Sequence, residues 1–384
     1  MNLTVIHDAR EMMEKADTGG AIWAPARLFL LLCSWAYGLA VSLRRFLYLR
    51  VPGLRKRVAA HVVSVGNITV GGSGKTPLAE MYARSWLQKG KKVAIVSRGY
   101  GKVRGAVTQS NLPEAIRPPA DVRVVSDGSG QIFLSAEEAG DEPYLLAKRV
   151  PDAAVIVSKD RFAACAFAVK QFGAEAIVLD DAFQHLRLHR DEDIVAIDAT
   201  NPFGNGHLLP RGMLREPPTS LRRASRILLT KILPEGVAGD SDAGLAALES
   251  RLRALSPHAA IARTNYVAIH LKSFPTGEMT PVSYLKEKKV VAFCGIADPG
   301  FFERTLSSLG VSTVRFKGFP DHYRYTPADL ATIDEYAADC DADAIVTTEK
   351  DVARMPHNIS TRRPIYAVAV EIRIVGDDHT EEKA

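Results

Sequence analysis

Residues 61–77, HVVSVGNITVGGSGKTP, decide the fold. A β-branched run from His61 to Val65 breaks into a glycine-rich turn, Thr69-Val70-Gly71-Gly72-Ser73-Gly74-Lys75-Thr76. A segment of helical apolar periodicity, Thr76–Leu87, follows. Strand, loop and helix in that order make a phosphate cradle. Gly71, Gly72 and Gly74 let the backbone curl until successive N–H groups point at phosphate oxygens. The helix start adds the positive end of its dipole, and Pro77 is harmless in a first turn. Lys75 would reach the β- and γ-phosphates, and the Thr76 hydroxyl would ligate Mg²⁺. The strict P-loop pattern wants Gly where this chain has Thr69, a departure that leaves the glycine curl intact. Such a loop also needs a carboxylate at a neighbouring strand end. The run AEAIVLD supplies one in the pair Asp180-Asp181, whose side chains point to opposite sides. The pattern calls for a nucleoside triphosphate with Mg²⁺ and leaves the phosphate acceptor open.

Working outward, short apolar runs alternate with helical stretches along the whole chain. KKVAIVS, DVRVVS, AAVIVS, AEAIVLDD, DIVAID and SRILLTK lack the in–out alternation of a half-exposed sheet. They read as a parallel sheet covered on both faces, a doubly wound α/β fold. After a predicted helix, Asp242–Leu255, comes ARTNYVAIHL, a strand with polar interruptions. A second alternation follows through KKVVAFCGI, VSTVRF and DAIVTTE to IYAVAVEIRI. The expected organisation is an N-terminal segment (1–57), a P-loop lobe (58–240) and a second, smaller α/β lobe (241–384).

The chain has 384 residues, 47% hydrophobic and 24% charged, which excludes a disordered or low-complexity protein. Its four cysteines lie far apart, with no metal-ligand spacing, which argues against a disulfide framework or a structural zinc site. The net charge of +5 is concentrated. Arg27, Arg44, Arg45, Arg50, Arg55, Lys56 and Arg57 fall between residues 21 and 57 with no acid among them. The same segment holds Leu28–Leu43, LFLLLCSWAYGLAVSL, without a charge. That uncharged run is shorter than the roughly 20 residues a spanning helix needs. Basic flanks with Trp23, Trp35, Tyr37, Phe46 and Tyr48 suit a helix at the membrane–water boundary on the cytoplasmic side. A buried core helix is the competing reading. Nucleic-acid binding is the weaker one, because the charge is not spread over a groove-sized face.

Seven motifs then occur in register: SVGNITVGGSGKTP, SRGYG (97–101), GDEP (140–143), DDAFQH (180–185), LLPRGMLREP (208–217), FPDHY (319–323) and TEKD (348–351). The set closely resembles the tetraacyldisaccharide 4'-kinases, membrane-associated enzymes of lipid A biosynthesis in Gram-negative bacteria. Ala182 departs from the Gly usual in DDGFQH. The resemblance implies two α/β/α lobes, a P-loop NTPase-like one and a smaller one. A two-stranded β linker, here near 262–271 and 364–373, joins them, and an N-terminal hydrophobic helix sits at the membrane. It implies transfer of the ATP γ-phosphate to the 4'-hydroxyl of tetraacyldisaccharide 1-phosphate, giving lipid IVA, at the cytoplasmic face of the inner membrane. The partners implied are the lipid and the membrane surface, with no protein partner. It also makes Asp141 the base, with His322 paired to it across the cleft. From the residues alone, Asp141 reads equally as a helix N-cap. Glu216 resembles a magnesium residue beside Asp180, Asp181 and Thr76, and Arg215 a phosphate clamp. Arg98 is a candidate phosphate grip or loop brace, and Gln184 a candidate for positioning Asp181 or the nucleotide. The TEKD residues are read as closing on the nucleotide or capping a helix. A P-loop ATPase that acts on a protein partner is the alternative class.

Overall fold

The computed structural model describes residues 24–99, 112–232, 242–356, 359 and 361–375. Trp23, Tyr100 and Gly101 lie outside them. The apolar N-terminal run forms α1 (Ala24–Arg50), longer than its uncharged core. The P-loop strand β1 (His61–Gly66) is followed by α2 (Lys75–Gln88), β2 (Val93–Ser97) and β3 (Val122–Asp127). Next come α3 (Ala136–Ala139), α4 (Asp141–Arg149), β4 (Ala154–Ser158), α5 (Arg161–Phe172), β5 (Ala176–Asp180), β6 (Glu192–Asp198) and β7 (Arg226–Ile232). The remainder is α6 (Asp242–Leu255), β8 (Ala260–Phe274), β9 (Met279–Thr280), β10 (Lys289–Cys294), α7 (Pro299–Ser308), β11 (Ser312–Gly318), α8 (Pro327–Asp339), β12 (Ala344–Thr348), α9 (Glu349–Val352) and β13 (Ile365–Ile374).

The strands join in one sheet of order β11-β10-β12-β13-β8-β7-β6-β1-β5-β2-β4-β3, with β9 paired to β8. The continuous apolar runs have a direct cause. Val63, Ile95 and Val178 pack with Leu78, Ala79 and Leu146 of α2 and α4. Their neighbours Val62, Ala94, Ile177 and Leu179 pack on the other face with Cys165 and Ala168 of α5. Both faces are buried, so neither can be polar. The second half repeats the plan: Val290 and Ala292 pack on α7, and Val291 and Phe293 on α8.

Two features differ from a simple parallel reading. β3 is antiparallel to β4 at the sheet edge, because apolar pattern reports burial and carries no strand direction. The two linking strands, β8 and β13, pair antiparallel from Ile365↔Phe274 to Ile374↔Thr264 and fuse both halves into one continuous sheet. α6, although it follows residue 240, packs Leu245 and Leu252 against Ile227 and Leu229 of the first half.

α1 lies along the P-loop half of the molecule. The Ser34 hydroxyl donates to the Leu208 carbonyl (2.8 Å) and accepts from the Arg211 N–H, and the Tyr37 hydroxyl donates to the Arg215 carbonyl. Arg45 reaches the Ser220 hydroxyl at 2.7 Å. Gly38 allows the approach: a Cβ there would sit 2.7 Å from Leu208. Leu28, Leu32, Trp35, Leu39, Leu43 and Phe46, spaced by three and four, form an exposed apolar stripe.

Candidate active site

The glycine loop opens at the C-terminal end of β1, where ligands of open α/β sheets bind. Val70 N–H donates to the Met213 carbonyl (2.8 Å) and Arg215 N–H to the Ile68 carbonyl (2.7 Å), so the segment LLPRGMLREP backs the loop. Thr69 bridges Leu214 in extended pairing. That position therefore needs no glycine, which explains the departure from the strict pattern. Gly71 (φ 109°) and Gly74 (φ 79°) do need theirs. Asn67 Nδ2 donates to the Ser73 hydroxyl at 2.8 Å, and the Thr230 hydroxyl donates to the Ser73 carbonyl. Residues from the later part of the chain close in behind. A Cβ on Gly74 would land on the Tyr266 hydroxyl of β8, and one on Gly72 would lie 3.2 Å from Ala297. Lys231 bridges Asp198 (2.6 Å) and Asp298 (2.8 Å), tying the end of β7 to the N-cap of α7.

Lys75 Nζ donates to the Gly71 carbonyl at 3.1 Å and lies 4.0 Å from Asp181 Oδ1. Asp181 (φ 49°) also accepts both of its oxygens' bonds from Arg215 Nη1, at 2.9 and 3.1 Å. Burial pushes its carboxyl up, but Lys75 and Arg215 outweigh this and hold it below the usual range. Asp180 behaves oppositely. It is buried at the end of β5, and burial, Glu142 and Asp181 together push it up to about 7. Its Oδ2 accepts a long bond from Ser97, and Oδ1 is buried without a partner. An orphaned carboxylate oxygen beside a hydroxyl and a second carboxylate is a hard-oxygen donor set. It suits an ion such as Mg²⁺ that takes one or two carboxylates and completes its shell from phosphate and water. Glu216 sits elsewhere in the network. Both its oxygens are held by Arg223 (2.9 and 3.1 Å), whose guanidinium also covers the ring of Phe183.

Asp141 and His322, 181 residues apart, meet: His322 Nδ1 lies 3.1 Å from Asp141 Oδ2. The N-cap of α4 is Gly140, and the Asp141 side chain makes no cap. It is turned across to the second half instead. His322 is held at φ 60°, in the left-handed region. Together with Asp181 it is one of few non-glycine residues there, at a cost of about 1 kcal/mol or more each. The neighbouring Glu142 pairs with Lys350 Nζ at 2.9 Å, which holds its carboxyl well below the usual range.

The TEKD residues are engaged with protein partners. Thr348 caps α9 through the Asp351 N–H, Glu349 binds Arg149 (3.0 Å) and Lys272 (2.7 Å), and Asp351 accepts from Gly295 N–H and the Tyr325 hydroxyl. Gln184 Nε2 donates to the Asn67 carbonyl, and its own carbonyl accepts from Arg44 of α1. Arg98 is exposed at the end of β2, beside β5. Buried Ala182 fits without a glycine conformation, whereas Gly66 does not tolerate a side chain: a Cβ there would lie 2.6 Å from Phe183. Sequence reasoning missed Lys231, Tyr266 and Arg354, which no local pattern marks.

A glycine-rich phosphate loop with its lysine, strand-end carboxylates beside it, and an acid–imidazole pair formed where the two halves meet define a P-loop phosphotransferase. A family model described as tetraacyldisaccharide-1-P 4'-kinase matches residues 26–383, and the chain belongs to that family. It is 42% identical over 345 residues to the tetraacyldisaccharide 4'-kinase of Anaeromyxobacter dehalogenans (strain 2CP-C), covering 88% of this chain and 83% of that one. It is 38% identical over 360 residues to that of Syntrophus aciditrophicus, covering 91% and 90%. Among solved structures, LpxK from Aquifex aeolicus in complex with ATP superposes with a TM-score of 0.68 at 30% identity, over 92% of this chain and 96% of that one. Membership disfavours the ATPase acting on a protein partner.

Proposed function

We propose that this enzyme transfers the γ-phosphate of ATP to the 4'-hydroxyl of tetraacyldisaccharide 1-phosphate, forming lipid IVA, at the cytoplasmic face of the inner membrane. The observation that carries the reading is the meeting of Asp141 and His322 from opposite halves of the molecule, in a chain whose other end of the cleft is a phosphate loop. ATP phosphates lie on residues 69–76, with Lys75 released from the Gly71 carbonyl to the β- and γ-oxygens. Mg²⁺ would be held by the Thr76 hydroxyl with Asp180 and Asp181, and when bound it supplies charge neutralisation at the phosphates. Glu216, whose oxygens Arg223 holds, would join this set only on release from that pair. Arg215, beside Asp181, and Arg98 would neutralise phosphate charge, and Gln184 would brace the loop through the Asn67 carbonyl.

The sugar hydroxyl loses its proton to Asp141 as its oxygen attacks the γ-phosphorus. The bond to the β–γ bridging oxygen breaks, and ADP leaves. His322, donating from Nδ1, keeps the carboxylate oriented, the role expected of an imidazole paired with a base. The division into residues 58–240 and 241–384 then gives one lobe to the nucleotide and lends the other's His322 to the acceptor.

The docking of α1 supports the membrane reading. The helix is long and apolar enough to cross a bilayer by length and composition. Its hydrogen bonds to the folded body between Ser34 and Arg45, about 16 Å of helix, favour a helix lying on the membrane surface with the apolar stripe toward the lipid. The Tyr37 bond to the Arg215 carbonyl keeps α1 against the segment that backs the phosphate loop, which supports a reading in which acyl chains stay in the bilayer while the sugar reaches the site. Neither nucleic acid nor a protein partner is needed. Transfer of ³²P from γ-labelled ATP to tetraacyldisaccharide 1-phosphate in mixed micelles tests the reading. Product lacking label at the 4' position sinks it.

A further inference from the structure

Asp141 presents a single carboxylate oxygen to two donors. His322 Nδ1 lies 3.1 Å and Arg354 Nε 2.8 Å from the same atom, Oδ2. To donate through Nδ1, His322 must carry its proton there, which leaves the lone pair on Nε2. Oδ1 accepts no hydrogen bond among the described residues. Arg354 is itself fixed. Its Nη1 donates to the Gly295 carbonyl at 2.8 Å and lies 3.6 Å from Asp351 Oδ1, and its side chain is 3% exposed. A guanidinium this far from water, aimed by a backbone carbonyl and a buried carboxylate, has its ordering cost already met by the fold, unlike a surface pair.

We propose that Arg354 is a positioning residue for phosphoryl transfer: with His322 it occupies Oδ2 of Asp141, fixes the carboxylate's rotation and reserves Oδ1 for the proton of the acceptor hydroxyl. This rests on the reading of Asp141 and His322 as the proton-accepting pair. The charged groups around Asp141 are Glu142 on its own helix, neutralised by Lys350, then His322 and Asp321 from the loop after β11, Arg354 after α9, and Lys75 beyond Glu142. Burial pushes the Asp141 carboxyl up, but the His322 bond and the Arg354 charge outweigh it and hold the group below the usual range. The carboxylate is thus ionised at neutral pH at some loss of basicity, and correct orientation offsets that loss. Because His322 and Arg354 both come from the second half, the clamp is complete only when the halves are docked.

The test is kcat against pH, with the ATP KM measured in parallel, for Arg354→Met and Arg354→Lys. The methionine keeps the bulk and removes the charge. It should move the acid limb to higher pH by about one unit or more, lower kcat at least about tenfold at neutral pH and leave the ATP KM within about twofold. The lysine should leave the limb in place but, lacking the planar fork, still lose at least about threefold in kcat. In an Asp141→Asn background, Arg354→Met should cause no further loss, since it acts through Asp141. Equal loss at every pH, a further loss in the Asp141→Asn background, or a lysine variant with wild-type kcat would overturn the proposal. If thermal melting shows that the methionine variant does not fold, the lysine result decides alone. An Asp141→Asn enzyme with wild-type activity would sink the underlying pair reading instead, a separate outcome.

Discussion

Replacing Trp35, Leu39 and Leu43 together with glutamine should detach the enzyme from lipid while leaving its fold intact. The three side chains are 66, 72 and 56% exposed on the stripe of α1 that faces away from the protein. Full burial of a leucine-sized side chain is worth about 1.5–3 kcal/mol. Sinking only the exposed part is then worth about 1–1.5 kcal/mol each, or about 3–4 kcal/mol for the three. That corresponds to a fall of two orders of magnitude or more in partition to neutral vesicles. Glutamine is a good helix former, and the docked face with Ser34, Tyr37 and Arg45 is untouched, so the melting temperature should hold. The assay is co-sedimentation with neutral and anionic vesicles at low and high salt. Wild-type protein should resist a salt wash, because hydrophobic burial is not screened. The residual binding of the triple variant to anionic vesicles, carried by Arg44, Arg50, Arg55, Lys56 and Arg57, should be lost in salt. Wild-type protein released completely by salt, or a triple variant that binds neutral vesicles as before, would show that the stripe does not enter the lipid.

Lys75→Ala should cost at least about 100-fold in kcat/KM, the scale of losing a preorganised charge at a transferring phosphate, with little change in melting temperature; more than a tenth of wild-type activity refutes the phosphate-loop assignment. Asp141→Ala and His322→Ala should each cost orders of magnitude in turnover with ATP affinity nearly unchanged, and the double variant should be scarcely worse than Asp141→Ala, because the pair acts as one unit; fully multiplicative losses would separate them. Lys350 holds Glu142 at about 2, below its ordinary value of 4.5. The pair's stabilisation is therefore present above about pH 4.5 and lost as pH falls toward 2. Urea unfolding of Lys350→Met should show a deficit on the order of 2 kcal/mol at neutral pH that closes across that window. A deficit independent of pH would mean the ion pair is not its cause.

The strands and most helices were legible because burial on both faces of a sheet leaves a plain mark: Ile177, Val178 and Leu179 serve two cores and all are apolar. The glycine loop was legible because Gly71 and Gly74 need backbone conformations that other residues rarely adopt. The direction of β3 was not, since an apolar run looks the same either way. Asp141 read equally as a helix cap until its side chain was seen turned to His322. That contact spans 181 residues, and neither FPDHY nor GDEP carries a local trace of it beyond the family resemblance. Lys231, Tyr266 and Arg354 matter only through tertiary approach, to Asp198 and Asp298, to Gly74 and to Asp141 in turn. Glu216 reads as a metal residue by its place in LREP, and that Arg223 holds both its oxygens is a pairing the intervening residues do not announce. The docked side of α1 was equally hidden. A run of apolar residues shows that a helix seeks a dry face, whereas Ser34 and Gly38 show which side is already taken.

The most direct measurement is the site of label transfer. Purified enzyme in mixed micelles, given γ-³²P ATP, Mg²⁺ and tetraacyldisaccharide 1-phosphate, should yield a lipid bisphosphate labelled at the 4' position. Asp141→Asn, folded and still binding ATP, should yield almost none. Labelled product at wild-type rate from Asp141→Asn, or ATP hydrolysis by wild-type enzyme without label on the lipid, would contradict the account.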